Sequence, residues 1–312
     1  MVQNEKSGTP AGGAALATTA AFAGERREVL QAAGGIPLTV HHPLTASGGV
    51  VLLVPGWSGT RAGPAEILVF IASALARAGW LAVRFDLPGR GDAGGAFGAC
   101  DLDQMIDCAA RLLLGAQASS LPPVAGRMPA LPAYLLGLCS GGNVALGTAS
   151  KQEFRDQALG VIALSTLPFQ PARSKQFERR RRWKNVKQYL ARALAPSTWL
   201  RLLKGEINLR RVKQNVTASE KPGAGERNLK DSRRDIEREL LSWKGRALFV
   251  WGGGDEEAPL ARAHFERLHA AGLGRPGHAA FQSVAGANHN FYAQPWRQET
   301  VRLILNFLNT QL

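Results

Sequence analysis

The stretch "YLLGLCSGGNVAL", residues 134–146, decides how this chain is read. It starts as an apolar run, narrows to Gly137, sets Cys139 beside Ser140, and passes through Gly141 and Gly142 into a helix-like tail. A strand that turns sharply into a helix can present one side chain at the top of a sheet. The residues two before and two after that apex must be small, because bulk there meets the facing backbone. With Cys139 at the apex, the flanking residues are Gly137 and Gly141. With Ser140 at the apex, the residue two before it is Leu138, which would be crowded. Cys139 is therefore the expected nucleophile, and the Ser140 backbone N–H an expected oxyanion donor. The same glycines also suit plain packing of a strand on a helix, with Cys139 as a small buried apolar side chain. The rest of the chain decides between the two.

Outward from the elbow, short apolar runs alternate with helical patterns. "REVLQAA" and "PLTVHHP" read as two strands joined at Gly34-Gly35. "GVVLLVPGW", "LAVRFDLPGRGD", "GVIALSTLP", "ALFVWGGGD" and "AAFQSVAGANH" read as further strands, each running into a loop. Helical patterns fall at 65–80, 102–116 and 259–272, and in the closing "QETVRLILNFLNTQL". Strands alternating with helices predict an α/β fold with a mostly parallel sheet covered on both faces.

The alternation breaks once. Residues 168–245 separate two successive strands and carry helical patterns such as "RRWKNVKQYLARAL" around a polar linker. They read as a basic helical cap inserted between two core segments, 26–167 and 246–312, behind a flexible leader, 1–25. Of the net charge of +14, residues 172–213 supply +12, from fourteen Lys or Arg against Glu178 and Glu206. The charge thus belongs to one segment, and Trp183, Tyr189 and Trp199 are interleaved with it. A solvated helical face, steering of an anionic substrate, and peripheral association with anionic membrane all fit this pattern. No nucleic-acid-binding module accompanies it, and no specific nucleic-acid binding is expected.

Three cysteines, Cys100, Cys108 and Cys139, make no disulfide framework, and a cytoplasmic location is expected. No motif with metal-ligand spacing appears, so neither metal nor cofactor is expected. No apolar run reaches the roughly 18 residues that span a bilayer.

A nucleophile needs a base, and the base an orienting carboxylate. Of six histidines, His289 in "GANHNF" follows the last strand, at the sheet end where α/β proteins place their sites. Asp255 ends the run "LFVWGGGD", with Glu256 as the fallback carboxylate. Asp255 also suits the start of the helix that follows. The order nucleophile, acid, histidine is then Cys139, Asp255, His289. Gly56 in "VPGWSGTR" lets the backbone turn so that the Trp57 N–H becomes a second oxyanion donor.

With these pieces in place, the chain resembles the α/β-hydrolase superfamily through "LLVPGWSG", "LAVRFDLPGRGD", "LLGLCSGGNVAL", "LFVWGGGD" and "GANHNF". The resemblance implies an α/β-hydrolase fold over residues 26–312. It also implies Cys139 as nucleophile, Asp255 as acid, His289 as base, and an oxyanion hole from the Trp57 and Ser140 backbones. Pro55-Gly56 stands where most members have His-Gly, and Cys139 where most have Ser. The Gly-x-Cys-x-Gly-Gly elbow is similar to those of dienelactone hydrolases and polyhydroxyalkanoate synthases. The chain also looks like hydrolases of the serine-aminopeptidase-like branch, including those associated with exopolysaccharide or exosortase systems. The expected activity is hydrolysis of a small-molecule carboxylic ester or thioester through an acyl-enzyme. An acyltransferase with the same triad, and a silent binding protein on the same fold, are the alternatives.

Overall fold

The computed structural model describes residues 18–22, 24–32, 34–44, 48–117, 132–155, 159–169, 229–274 and 278–310. Nine strands among them form one sheet: β1 Thr18–Phe22, β2 Glu25–Ala32, β3 Ile36–Pro43, β4 Val50–Val54, β5 Leu81–Phe85, β6 Ala133–Leu138, β7 Gly160–Leu164, β8 Ala247–Gly252 and β9 Ala279–Val284. Their order is β1-β2-β3-β5-β4-β6-β7-β8-β9. The first three are antiparallel, and from β5 to β9 every pairing is parallel. β1 and the buried Glu25 fall inside the span 1–25 that the sequence suggested as a leader.

The parallel strands are apolar along their whole length because both faces are covered. In β4, Val50, Leu52 and Val54 enter one core cluster, and Val51 and Leu53 the other. β6 and β7 divide the same way, with Leu135 and Val161 on the first face and Leu136 and Ile162 on the second. Helices α1 Ile67–Arg77 and α7 Gln294–Asn309 supply the second cluster through Ile71, Leu75, Ile304 and Leu308. The first is closed by α2 Leu102–Gln117, α3 Ser140–Ala149, α5 Ile236–Leu240 and α6 Ala258–Ala270. A short α4, Gln152–Arg155, follows α3. Each fully buried Leu, Ile or Phe stabilises such a core by about 1.5–3 kcal/mol.

Residues 170–228, most of the span 168–245 that the sequence suggested as a cap, lie outside the described residues, and so do the fourteen cations of 172–213. Its flanks are described. On the way out, Asn143 Nδ2 donates to the Leu167 carbonyl at 2.9 Å. On the way back, the Leu102 N–H donates to the Leu229 carbonyl at 2.8 Å, and the Arg233 N–H to Asp103 at 2.8 Å. Ile236, Leu240 and Trp243, which the sequence placed in the cap, are buried in the first core cluster. Among the described residues, no helix is long and apolar enough to cross a membrane.

Chain order reverses at β4, whose neighbours are β5 and β6. The chain runs from β4 to β5 on one side and then crosses back over β4 to β6 on the other, a switch point at which α/β sheets open a crevice at the carboxyl ends of the strands. Gly56 follows β4 and Cys139 follows β6, one on each side of that crevice.

Candidate active site

Cys139 sits between β6 and α3 with φ 56° and ψ −122°, a conformation non-glycine residues rarely adopt. Strain of this kind costs of the order of 1–3 kcal/mol and persists only where the surroundings enforce it. Here the Cys139 N–H donates to the Leu164 carbonyl at 2.7 Å, and the Gly142 N–H to the Cys139 carbonyl at 3.0 Å. The surrounding glycines make room. A Cβ on Gly137 would run into the Gly141 carbonyl, and one on Gly141 into the carbonyls of Val54 and Pro55. A Cβ on Gly142 would meet the Thr166 hydroxyl. The third glycine of the motif therefore exists for the end of β7.

The two registers considered from the sequence have different geometry. Cys139 takes the strained apex and is part-exposed. Ser140 opens α3, and its hydroxyl is enclosed with no hydrogen-bond partner among the described residues. The Ser140 N–H is one of the first-turn donors that an α-helix leaves without an internal acceptor.

Asp255 and His289 reach the same place from two other strand ends. The loop after β8 and the loop after β9 are stitched together. Gly253 N–H donates to Val284 O, and Gly254 N–H to Ala287 O, both at 2.8 Å. A side chain on Gly252 would strike the backbone of Ala287 and Asn288, which accounts for the run of three glycines. Asp255 Oδ2 lies 2.6 Å from His289 Nδ1, while Oδ1 accepts the Glu257 N–H at 3.1 Å ahead of α6. Asp255 thus touches both the histidine and the backbone just ahead of α6, whose N-cap is Glu257. The His289 loop is anchored by Phe291, buried at φ 52°, and by Asn288 Oδ1, which accepts the Asn290 and Tyr292 N–H groups.

Burial pulls the His289 pKa down, but hydrogen bonds to Asp255 and Cys139 and the negative charge of both outweigh it and push it up to about 10. Since Nδ1 faces Asp255, Nε2 is the nitrogen left for the sulfur. The arrangement favours a protonated His289 held between Asp255 and Cys139.

Gly56 lies against the elbow, where a Cβ would stand 3.3 Å from the Leu138 carbonyl and 3.7 Å from Cys139 Cβ. Trp57 therefore begins a turn directly beside the cysteine. Arg90, which the sequence reading passed over as part of a Gly-rich loop, packs on this turn and donates from Nε to the Trp57 carbonyl at 2.5 Å. Only a basic residue between two glycines of "PGRGD" could have drawn attention to it.

Asp255, Glu257 and His289 offer ligand atoms within 4.8 Å of one another, one group among the described residues that could hold a metal ion. The direct His289–Asp255 hydrogen bond accounts for the closeness of two of the three.

A family model described as alpha/beta hydrolase family matches residues 51–301. No curated protein matches the chain. Among solved structures, the fold is similar to a dienelactone hydrolase from Anabaena variabilis, with TM-score 0.56, 13% identity, and 92% of this chain and 98% of that one covered. It is similar to the esterase Pf2001 of Pyrococcus furiosus, with TM-score 0.57, 13% identity, and 92% and 90% covered. A monoacylglycerol lipase from Paleococcus ferrophilus aligns with TM-score 0.54 at 18% identity, covering 89% and 99%. With the sheet order, the elbow after β6 and a family match over most of its length, the chain is an enzyme of the alpha/beta hydrolase family.

Proposed function

We propose that the enzyme hydrolyses a carboxylic ester or thioester through a covalent thioester on Cys139. The observation that carries this reading is the strained Cys139 hydrogen-bonded to a histidine that is itself held by Asp255.

In the proposed cycle, the Cys139 thiolate attacks the acyl carbonyl carbon, and the carbonyl oxygen takes up the negative charge. The Trp57 and Ser140 N–H groups stabilise that oxyanion, and each such donor is typically worth a few kcal/mol. As the intermediate collapses, the bond to the leaving oxygen or sulfur breaks, and His289 gives it a proton. The neutral imidazole then takes a proton from water, whose oxygen attacks the thioester. Collapse releases the carboxylic acid and restores the thiolate and imidazolium. The sum is one ester or thioester and one water converted to one acid and one alcohol or thiol. Thioester intermediates suit activated acyl groups, so unactivated amides are the poorest substrates.

The test is intact-protein mass after brief exposure to a short-chain p-nitrophenyl ester, with peptide mapping, for wild type and His289→Ala. An acyl adduct on Cys139, much slower to form in the variant, is the expected result. An adduct on Ser140, or none in folded protein, overturns the reading.

A further inference from the structure

We infer that Arg90 is a positioning residue for the oxyanion hole, an inference that rests on Cys139 as nucleophile and Trp57 as donor. The turn that carries Trp57 is closed by the Gly59 N–H donating to the Gly56 carbonyl at 3.0 Å. A trans peptide is planar, with N–H and C=O pointing opposite ways. The Gly56–Trp57 peptide therefore aims its carbonyl at Gly59 and its N–H out of the turn. The next peptide, between Trp57 and Ser58, is the middle one of the turn. Its reversal would demand a positive φ at Ser58, a conformation that favours glycine, so the turn keeps its own shape. What the turn lacks is an outside anchor, and Arg90 supplies one: its Nε holds the Trp57 carbonyl at 2.5 Å, seating the whole turn, and the Trp57 N–H with it, beside the elbow.

Arg90 is itself over-determined. It is 3% exposed, and a second nitrogen, Nη1, donates to the Pro88 carbonyl at 2.7 Å. Its guanidinium lies 5.0 Å from the Trp57 ring centre and 5.3 Å from that of Phe97. Nη2 is buried with no hydrogen-bond partner among the described residues. A buried cation with an unsatisfied nitrogen is costly, and burial lowers its pKa accordingly. Such a cost is expected where the contact serves a site rather than stability. A lysine cannot replace it, because one ammonium cannot supply two donors in the fixed fork that spans Trp57 and Pro88.

The experiment separates reactions that develop an oxyanion from those that do not. Acylation of Cys139 by p-nitrophenyl acetate needs the hole, and alkylation by iodoacetamide does not. In Arg90→Lys and Arg90→Met, acylation is expected to slow by about 10- to 100-fold, with alkylation within about threefold of wild type. Phe97→Ala loosens Arg90 from a side chain that is 63% exposed, so it keeps the fold and decides the matter where the Arg90 variants do not fold. It is expected to slow acylation alone, by about threefold or more. Wild-type acylation rates in folded variants, or equal losses in both reactions, would overturn the role. Absence of any acylation of the wild type would instead sink the reading of Cys139.

Discussion

Asp255 Oδ2 and His289 Nδ1 stand 2.6 Å apart although 34 residues separate them, because two backbone bonds, Gly253 to Val284 and Gly254 to Ala287, lock their loops together. The pair is thus fixed by backbone and not by the side chains alone. Asp255→Asn keeps the shape and removes the charge. We expect the stability of the fold to be little changed and kcat/KM on an ester substrate to fall about 100-fold or more. Loss of activity that tracks unfolding would argue against this role.

His289 should leave a signature in stability against pH. Its folded pKa is raised to about 10 from an ordinary value near 6.5. Below the ordinary value both folded and unfolded chains hold the proton, and the contribution is complete. It is lost as pH rises through the folded value. Denaturant unfolding of wild type and His289→Gln should differ most below about pH 6.5, and the difference should shrink steadily toward about pH 10. A difference that grows with pH contradicts the assignment.

His41 should behave in the opposite sense. Burial, and then the charge of Arg84, push its pKa down to about 4. It lies between Glu25, 2.7 Å from Nδ1, and Arg84, whose Nε donates to its Nε2 at 2.9 Å. From pH 6.5 down to 4 the unfolded chain takes up a proton that the folded chain refuses, so stability falls on acidification. The loss is of the order of 3 kcal/mol. His41→Gln, which can donate to Glu25 and accept from Arg84, should remove most of that component from the acid limb of an unfolding series.

The elbow glycines differ in what they face, and the cost of an added methyl should differ too. Gly137→Ala meets backbone, which cannot yield, whereas Gly142→Ala meets the Thr166 side chain. Overpacking typically costs about 1–3 kcal/mol. Gly137→Ala should lie at or above the top of that range. Thr166→Ala should restore part of the stability lost in Gly142→Ala and none of that lost in Gly137→Ala. A double-mutant cycle on melting temperature measures both.

Asp86 is fully buried and ties the loop after β4 to the loop after β5. It accepts from the Arg61 guanidinium, the Arg61 N–H at 2.6 Å and the Asp92 N–H at 3.1 Å. Asp86→Ala leaves these donors without an acceptor and should cost about 3 kcal/mol or more. Equilibrium unfolding of the two proteins at neutral pH checks it.

The fold was legible because its strands are buried on both faces. Runs such as "VVLLV" and "AYLLGL" carry no polar interruption, and each ends in the glycines that a sharp turn needs. The elbow was legible for the same steric reason, since Gly137 and Gly141 are dictated by backbone. Gly142 was not, because the obstacle it avoids is Thr166, distant in sequence. The same holds for Arg90 and Asp86. Their partners Trp57 and Arg61 lie on another loop, and no local periodicity encodes a contact between loops. The three glycines before Asp255 were visible, but their reason, the approach of the β9 loop, was not.

The chain leaves the sheet beside Asn143 and comes back against α2, and both crossings are pinned by hydrogen bonds to the core. Both sets of partners lie in described residues on either side of 170–228. Residues 172–213 carry +12 of the net charge of +14, so the rest of the chain is close to neutral and the high isoelectric point comes from the stretch between the two crossings.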